Sequence, residues 1–99
     1  MTDEQRGHDF HEQLFALMPQ ATHADDDDHH RAVGAAIRVA LDEHNPRRAA
    51  HDYNVWAGTH GYAPVTFLGV VGATLVADIQ EAVVSIAPDG RVSVLEVRI

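Results

Sequence analysis

A chain of 99 residues that is 45% hydrophobic and 22% charged has the composition of one globular domain, with a core able to take roughly two thirds of its unfolded surface out of water. Its formal charge is −8 with histidines neutral, every basic residue is an arginine, and cysteine is absent. The acidity disfavours nucleic-acid partners, and the missing thiols exclude disulfides, cysteine nucleophiles and cysteine-ligated zinc or iron–sulfur centres.

The opening residues Met1 to Gln5 are polar and acidic, unlike a signal peptide. Thr2 followed three residues later by Gln5 makes a capping box, and Asp3 and Glu4 suit the positive end of a helix. Phe10, Leu14, Leu17 and Met18 then recur at helical spacing, so a first helix ends before Pro19. His8, His11 and Glu12 are expected on its opposite, solvated side. After a loop over 19–24, the acidic run Asp25-Asp26-Asp27-Asp28 starts a second helix, with Asp26, Asp27 or Asp28 as cap. Its apolar stripe is Val33, Ala36, Ile37, Ala40 and Leu41. Gly34 and Ala35 leave it slender, open to close approach by a neighbour, and it should stop at His44.

The stretch 46–57 reads two ways. Asn45 as cap, Pro46 in the first turn and Ala49, Tyr53, Trp56 and Ala57 at helical spacing argue for a third helix closed by Gly58. Tyr53-Asn54-Val55-Trp56 has strand propensity instead. Gly58 to Pro64 is a loop on either reading. Beyond it the period changes to that of strands. Residues 65–71 are β-rich, with Gly69 and Gly72 marking a bulge; 73–81 are expected to continue as strand with a bulge near Gln80 and Glu81. Residues 82–87 and 91–98 form a hairpin around Pro88-Asp89-Gly90, where Gly90 takes positive φ. The apolar run 65–77 is too short and too interrupted to span a bilayer. The expectation is a single α+β domain over 1–99: two or three N-terminal helices packed on a C-terminal antiparallel β-meander of three or four strands, cytoplasmic, with no membrane partner.

Chemistry concentrates in the eight histidines and in one aromatic segment. His8, His11, His29 and His30 are the candidate metal ligands. His8 and His11 stand three apart, and His29 and His30 follow the aspartates, a mixed set suited to zinc, nickel or manganese. Their plainest reading is solvated surface histidines, and an antiparallel pairing of the two helices would put His8 nearer His44 than His29. The aspartate run lacks the alternation and glycine of a calcium loop. Tyr53, Trp56, His60 and Tyr62 are the candidate ligand-binding residues, and His51, Asp52 and His60 the candidates for proton transfer. No nucleophile elbow or phosphate-binding loop accompanies them.

In the last strand Val92 and Val94 should occupy one face, with Leu95, Val97 and Ile99 mostly on the other. Such a sheet needs cover on both sides. The expected function is therefore a small non-enzymatic accessory or interaction protein that self-associates through its sheet, most simply as a dimer, with room for a protein partner and no cofactor. The alternatives are a small ligand- or metal-binding protein using its histidine-rich faces, and an acidic decoy docking on a basic, nucleic-acid-binding surface. Weak proton-transfer catalysis is the enzymatic option.

Overall fold

Residues 2–19, 26–79 and 82–97 are described by the computed structural model. Thr2 Oγ1 accepts the Gln5 backbone N–H at 3.1 Å, and helix α1 runs Asp3–Leu17. Its buried stripe is Gly7, Phe10, His11, Leu14 and Met18. This stripe is rotated from the expected one: Leu17 is 50% exposed and His11 only 9%. The contact through Gly7 sets the rotation, because His11 stands one turn further along the same side.

Helix α2 spans Asp27–Leu41, and Asp26 is its cap, accepting the His29 N–H at 2.7 Å. The chain then turns through His44, at φ 51°. Residues 46–57 lie in helix: α3 is Pro46–His60, capped by Asn45 Oδ1 on Arg48 N. Gly58 stays inside it, and Gly61 at φ 79° closes it. Gly61 ends the helix because it takes the left-handed conformation and Pro64 follows closely.

Helices α1 and α2 are antiparallel. Asp3 pairs with Arg38 at 2.9 Å and Arg6 with Asp42 at 3.5 Å. Their backbones touch: a Cβ on Gly7 would lie 1.7 Å from the His30 carbonyl oxygen, and one on Gly34 1.6 Å from that of Asp3. Only glycine permits such an approach. The crossing sits over His30, so His8 meets His30 (ring centroids 5.3 Å apart) rather than His44.

The sheet is antiparallel in the order β1-β2-β3-β4, with β1 Val65–Val71, β2 Thr74–Ile79, β3 Ala82–Ile86 and β4 Val92–Val97. The α+β arrangement is thus three helices followed by a four-stranded meander among the described residues. Residues 73–79 do not prolong β1. Gly72, at φ 64°, reverses the chain so that Val71 pairs with Thr74. The bulge expected near Gln80 and Glu81 lies outside the described residues. Between β3 and β4, Gly90 adopts φ 92° and its N–H bonds Ala87 O at 2.9 Å.

The register shifts at Leu68, between Phe67 and Gly69, and at Leu95, between Val94 and Glu96. One extra residue reverses the in–out alternation. Val97 therefore pairs with Ala82 and returns to the face of Val92 and Val94, whereas Leu95 points away as expected and Ile99 lies outside the described residues. The helix-facing side of the sheet buries Leu75, Ala77, Ala82, Val84, Ile86 and Val92. The other side leaves Leu68, Val71 and Leu95 more than half exposed.

Two side-chain amides fasten the layers. Gln13 donates to Gly90 O at 2.8 Å and accepts Val92 N–H at 3.0 Å. Asn54 donates to Val65 O at 2.9 Å and accepts Val65 N–H at 2.8 Å. No helix among the described residues is long and apolar enough to cross a membrane.

Candidate functional site

A cavity of about 630 Å³ lies between the helices and the sheet. Its floor is apolar, from Phe67, Ala77, Ile79, Ala82 and Ile86 of the sheet, and its roof from Phe10, Leu14, Met18, Val33, Ala36 and Ile37. The segment Gly61 to Pro64 forms a wall. The polar lining gathers at one end, where α1 supplies His11, α2 His29, α3 Tyr53 and the loop Tyr62.

That end is built by the caps and crossings already described. The Gly7 contact brings His11 against α2, with its ring 4.8 Å from His29 and 4.9 Å from His30. His11 Nδ1 donates to Gly7 O at 3.2 Å, which makes Nε2 the basic nitrogen of that ring. His29 Nε2 and the Tyr53 hydroxyl share a hydrogen bond of 2.9 Å. Burial, with a smaller contribution from the nearby Tyr62 phenol, pushes Tyr53 up to about 12, so its hydroxyl keeps its proton. Tyr62 stacks on His29 at 4.4 Å and on Trp56 at 5.3 Å. It donates a short hydrogen bond to the Asp26 carboxylate. This bond, then the His29 backbone N–H, holds Asp26 below the usual carboxylate range, and the same carboxylate pushes Tyr62 up.

The histidines expected on the surface therefore divide. His11, His29 and His30 are buried at 9%, 7% and 3% exposure, and His8 remains outside. Although these four come together, among the described residues the set of three groups whose ligand atoms lie within 4.8 Å of one another is His8, Asp9 and Glu12, on the solvated side of α1. Two of the four expected ligand-binding residues, Tyr53 and Tyr62, line the cavity. Trp56 stacks behind them, and His60 lies outside, stacked on Trp56 at 4.2 Å with Nδ1 donating to Trp56 O. His51 and Asp52 sit on the solvent face of α3; their 3.3 Å contact points away from the cavity lining, and Arg48 also reaches Asp52. Among the aspartates, Asp26 caps α2 and Asp28 pairs with Arg31. Sequence reasoning assigned His11 and His29 to metal and missed them as cavity lining. Gly7, one helical turn before His11, was the available signal.

No family model, curated protein or solved structure matches this chain, so its chemistry is read from this geometry.

Proposed function

We propose that this protein binds a small apolar molecule between its helices and its sheet. The cavity carries the reading: its volume falls in the range of small-molecule sites, and its apolar walls with polar groups converging at one end are what such sites share. Proton-transfer catalysis gains no support, because His51 and Asp52 stand apart from that volume. The test uses decanol as a neutral apolar probe. Binding should raise the melting temperature by mass action and change the emission of Trp56, whose ring stacks on Tyr62 of the cavity wall. Ala77→Leu should fill the space, abolish both responses and leave the free protein at least as stable. No response to decanol, together with destabilisation by Ala77→Leu, would show a packed core instead.

A second reading is self-association through the outer sheet face, favoured by the exposure of Leu68 (58%), Val71 (72%) and Leu95 (58%) on the side away from the helices. The occupant is a second copy of this chain. Each copy carries a formal charge of −8 with its eight histidines neutral, and histidine is the residue type that gains charge between pH 7.5 and 5.5, so acidification should tighten a dimer by lowering the repulsion between like-charged copies. Light scattering at pH 7.5 and 5.5 reads this. Leu95→Lys should leave a monomer, and a wild-type monomer mass at both pH values refutes it.

A further inference from the structure

We infer that the molecule held in this cavity is an apolar carboxylic acid, whose acid group docks on His11, His29 and Tyr53. The inference rests on the cavity reading above and goes beyond it by fixing the head group.

Among the described residues, no arginine lines the cavity. Arg6, Arg31, Arg38, Arg48 and Arg91 are paired with carboxylates elsewhere. A sulfonate or phosphate, charged at every accessible pH, would therefore enter a low-dielectric site with no permanent cation among the described residues, in a protein of net charge −8. An amine would need a carboxylate in the lining, and among the described residues none lines the cavity; Asp26 lies outside it, engaged by Tyr62 and by the α2 N-terminus.

A weak acid escapes both penalties because it carries its own proton. A carboxylic acid beside a neutral imidazole, or a carboxylate beside an imidazolium, is the same pair with the same total charge. The groups present match its two ends. His11 Nε2 is an acceptor when Nδ1–H donates to Gly7 O, and the Tyr53 hydroxyl, which keeps its proton, can donate to the acid when His29 Nε2–H donates to the Tyr53 oxygen. A carboxyl group has one O–H to give and one carbonyl oxygen to receive. The apolar floor of the sheet takes the hydrocarbon body.

Because the pair includes a proton, affinity should depend on pH. Among the described residues, the titratable groups facing His11 and His29 include His30 and Asp26 from α2, Tyr53 from α3 and Tyr62 from the loop, with His8 of α1 against His30. Among the described residues, the sheet's contribution to the lining is aliphatic and aromatic, with no titratable group.

The experiment compares four probes of one chain length: decanoate, decanol, decanesulfonate and decylamine, each titrated against the protein below its micelle concentration while Trp56 emission and heat are recorded. Decanoate should bind at least about tenfold more tightly than decanol, the equivalent of one additional hydrogen bond to a charged or proton-sharing group, and more tightly than the other two. At pH 8 its binding should take up close to one proton, read from the heats in two buffers of different ionisation enthalpy, and its affinity should fall about tenfold per pH unit. His29→Phe and, separately, His11→Leu should bring decanoate down to the affinity of decanol while decanol binding persists. Decanol binding as tightly as decanoate leaves the cavity reading standing and overturns the acid assignment. So does decanesulfonate matching decanoate, decylamine binding best, or decanoate binding without proton uptake. Failure of all four probes to bind overturns the assignment together with the cavity reading.

Discussion

Replacing Gly7 with alanine sets two physical effects of opposite sign against each other. Glycine in a helix interior costs about 1 kcal/mol relative to alanine, so helix propensity alone predicts stabilisation. At Gly7 the added carbon would lie 1.7 Å from the His30 carbonyl oxygen, and ordinary contact begins near 3.4 Å, so the helices must part locally by about 1.7 Å. That movement loosens the packing of Phe10, His11, Ala36 and Ile37, all buried at or near the crossing. Overpacking a formed interior costs about 1–3 kcal/mol, and parting two backbones belongs at the upper end. The net loss should be about 2 kcal/mol, which for a domain of this size lowers the melting temperature by about 10 °C. Gly58 supplies the control. It is in the body of α3, and a Cβ placed there would meet nothing within 4 Å, so Gly58→Ala should gain about 0.5–1 kcal/mol and melt a few degrees higher. Thermal denaturation of the two variants decides the matter, and a Gly7→Ala protein that melts higher than wild type refutes the backbone contact.

Gly90 holds φ 92° in the β3–β4 turn, so Gly90→Val should destabilise by roughly 1–2 kcal/mol in chemical denaturation, through backbone strain. Tyr53 ionises near 10 when unfolded and near 12 when folded. The folded state thus binds the extra proton between those values, and stability should fall as pH rises from 10 to 12, by an amount on the order of 2–3 kcal/mol. Tyr53→Phe should flatten that alkaline fall in melts recorded across the interval. Asp26 has its folded-state value depressed from 3.8 by Tyr62 and the His29 N–H. Its contribution is present above pH 3.8 and is lost as pH drops through the lower folded value, so Asp26→Asn, which keeps a capping oxygen, should show a shallower acid limb than wild type.

What the sequence disclosed was local, and what it concealed depended on contact between distant parts. Thr2 with Gln5, Asp26, Asn45 with Pro46, and Pro88-Asp89-Gly90 each specify a backbone event within a few residues, and each occurs where the residues indicate. The third helix was ambiguous because Tyr53 to Trp56 favours a strand by propensity. Its capping residues and its packing against α2 and β1 override that preference. Gly69 marked the bulge beside Leu68, but the bulge at Leu95 left no single-residue mark, so Val97 was assigned to the wrong face of β4. Histidine burial was equally hidden. His11 reads as polar on a helical wheel, and only the Gly7–His30 backbone contact, made across the fold, turns it inward. Half of the aromatic set, Tyr53 and Tyr62, was legible as cavity lining because those residues bracket the end of α3.

The amides of Gln13 and Asn54 have a consequence for how copies of this chain can meet. β1 and β4 are the two margins of the sheet, and the margins of a sheet are where foreign strands add on. Asn54 occupies both backbone groups of Val65 on one margin, and Gln13 occupies Gly90 O and Val92 N on the other. Each side chain stands in for the strand that would come next, at the beginning of the margin where an invading strand would set its register. Growth of the sheet into a fibre should thereby be hindered at the start of each margin, and removing either amide should hasten ordered aggregation, read by light scattering.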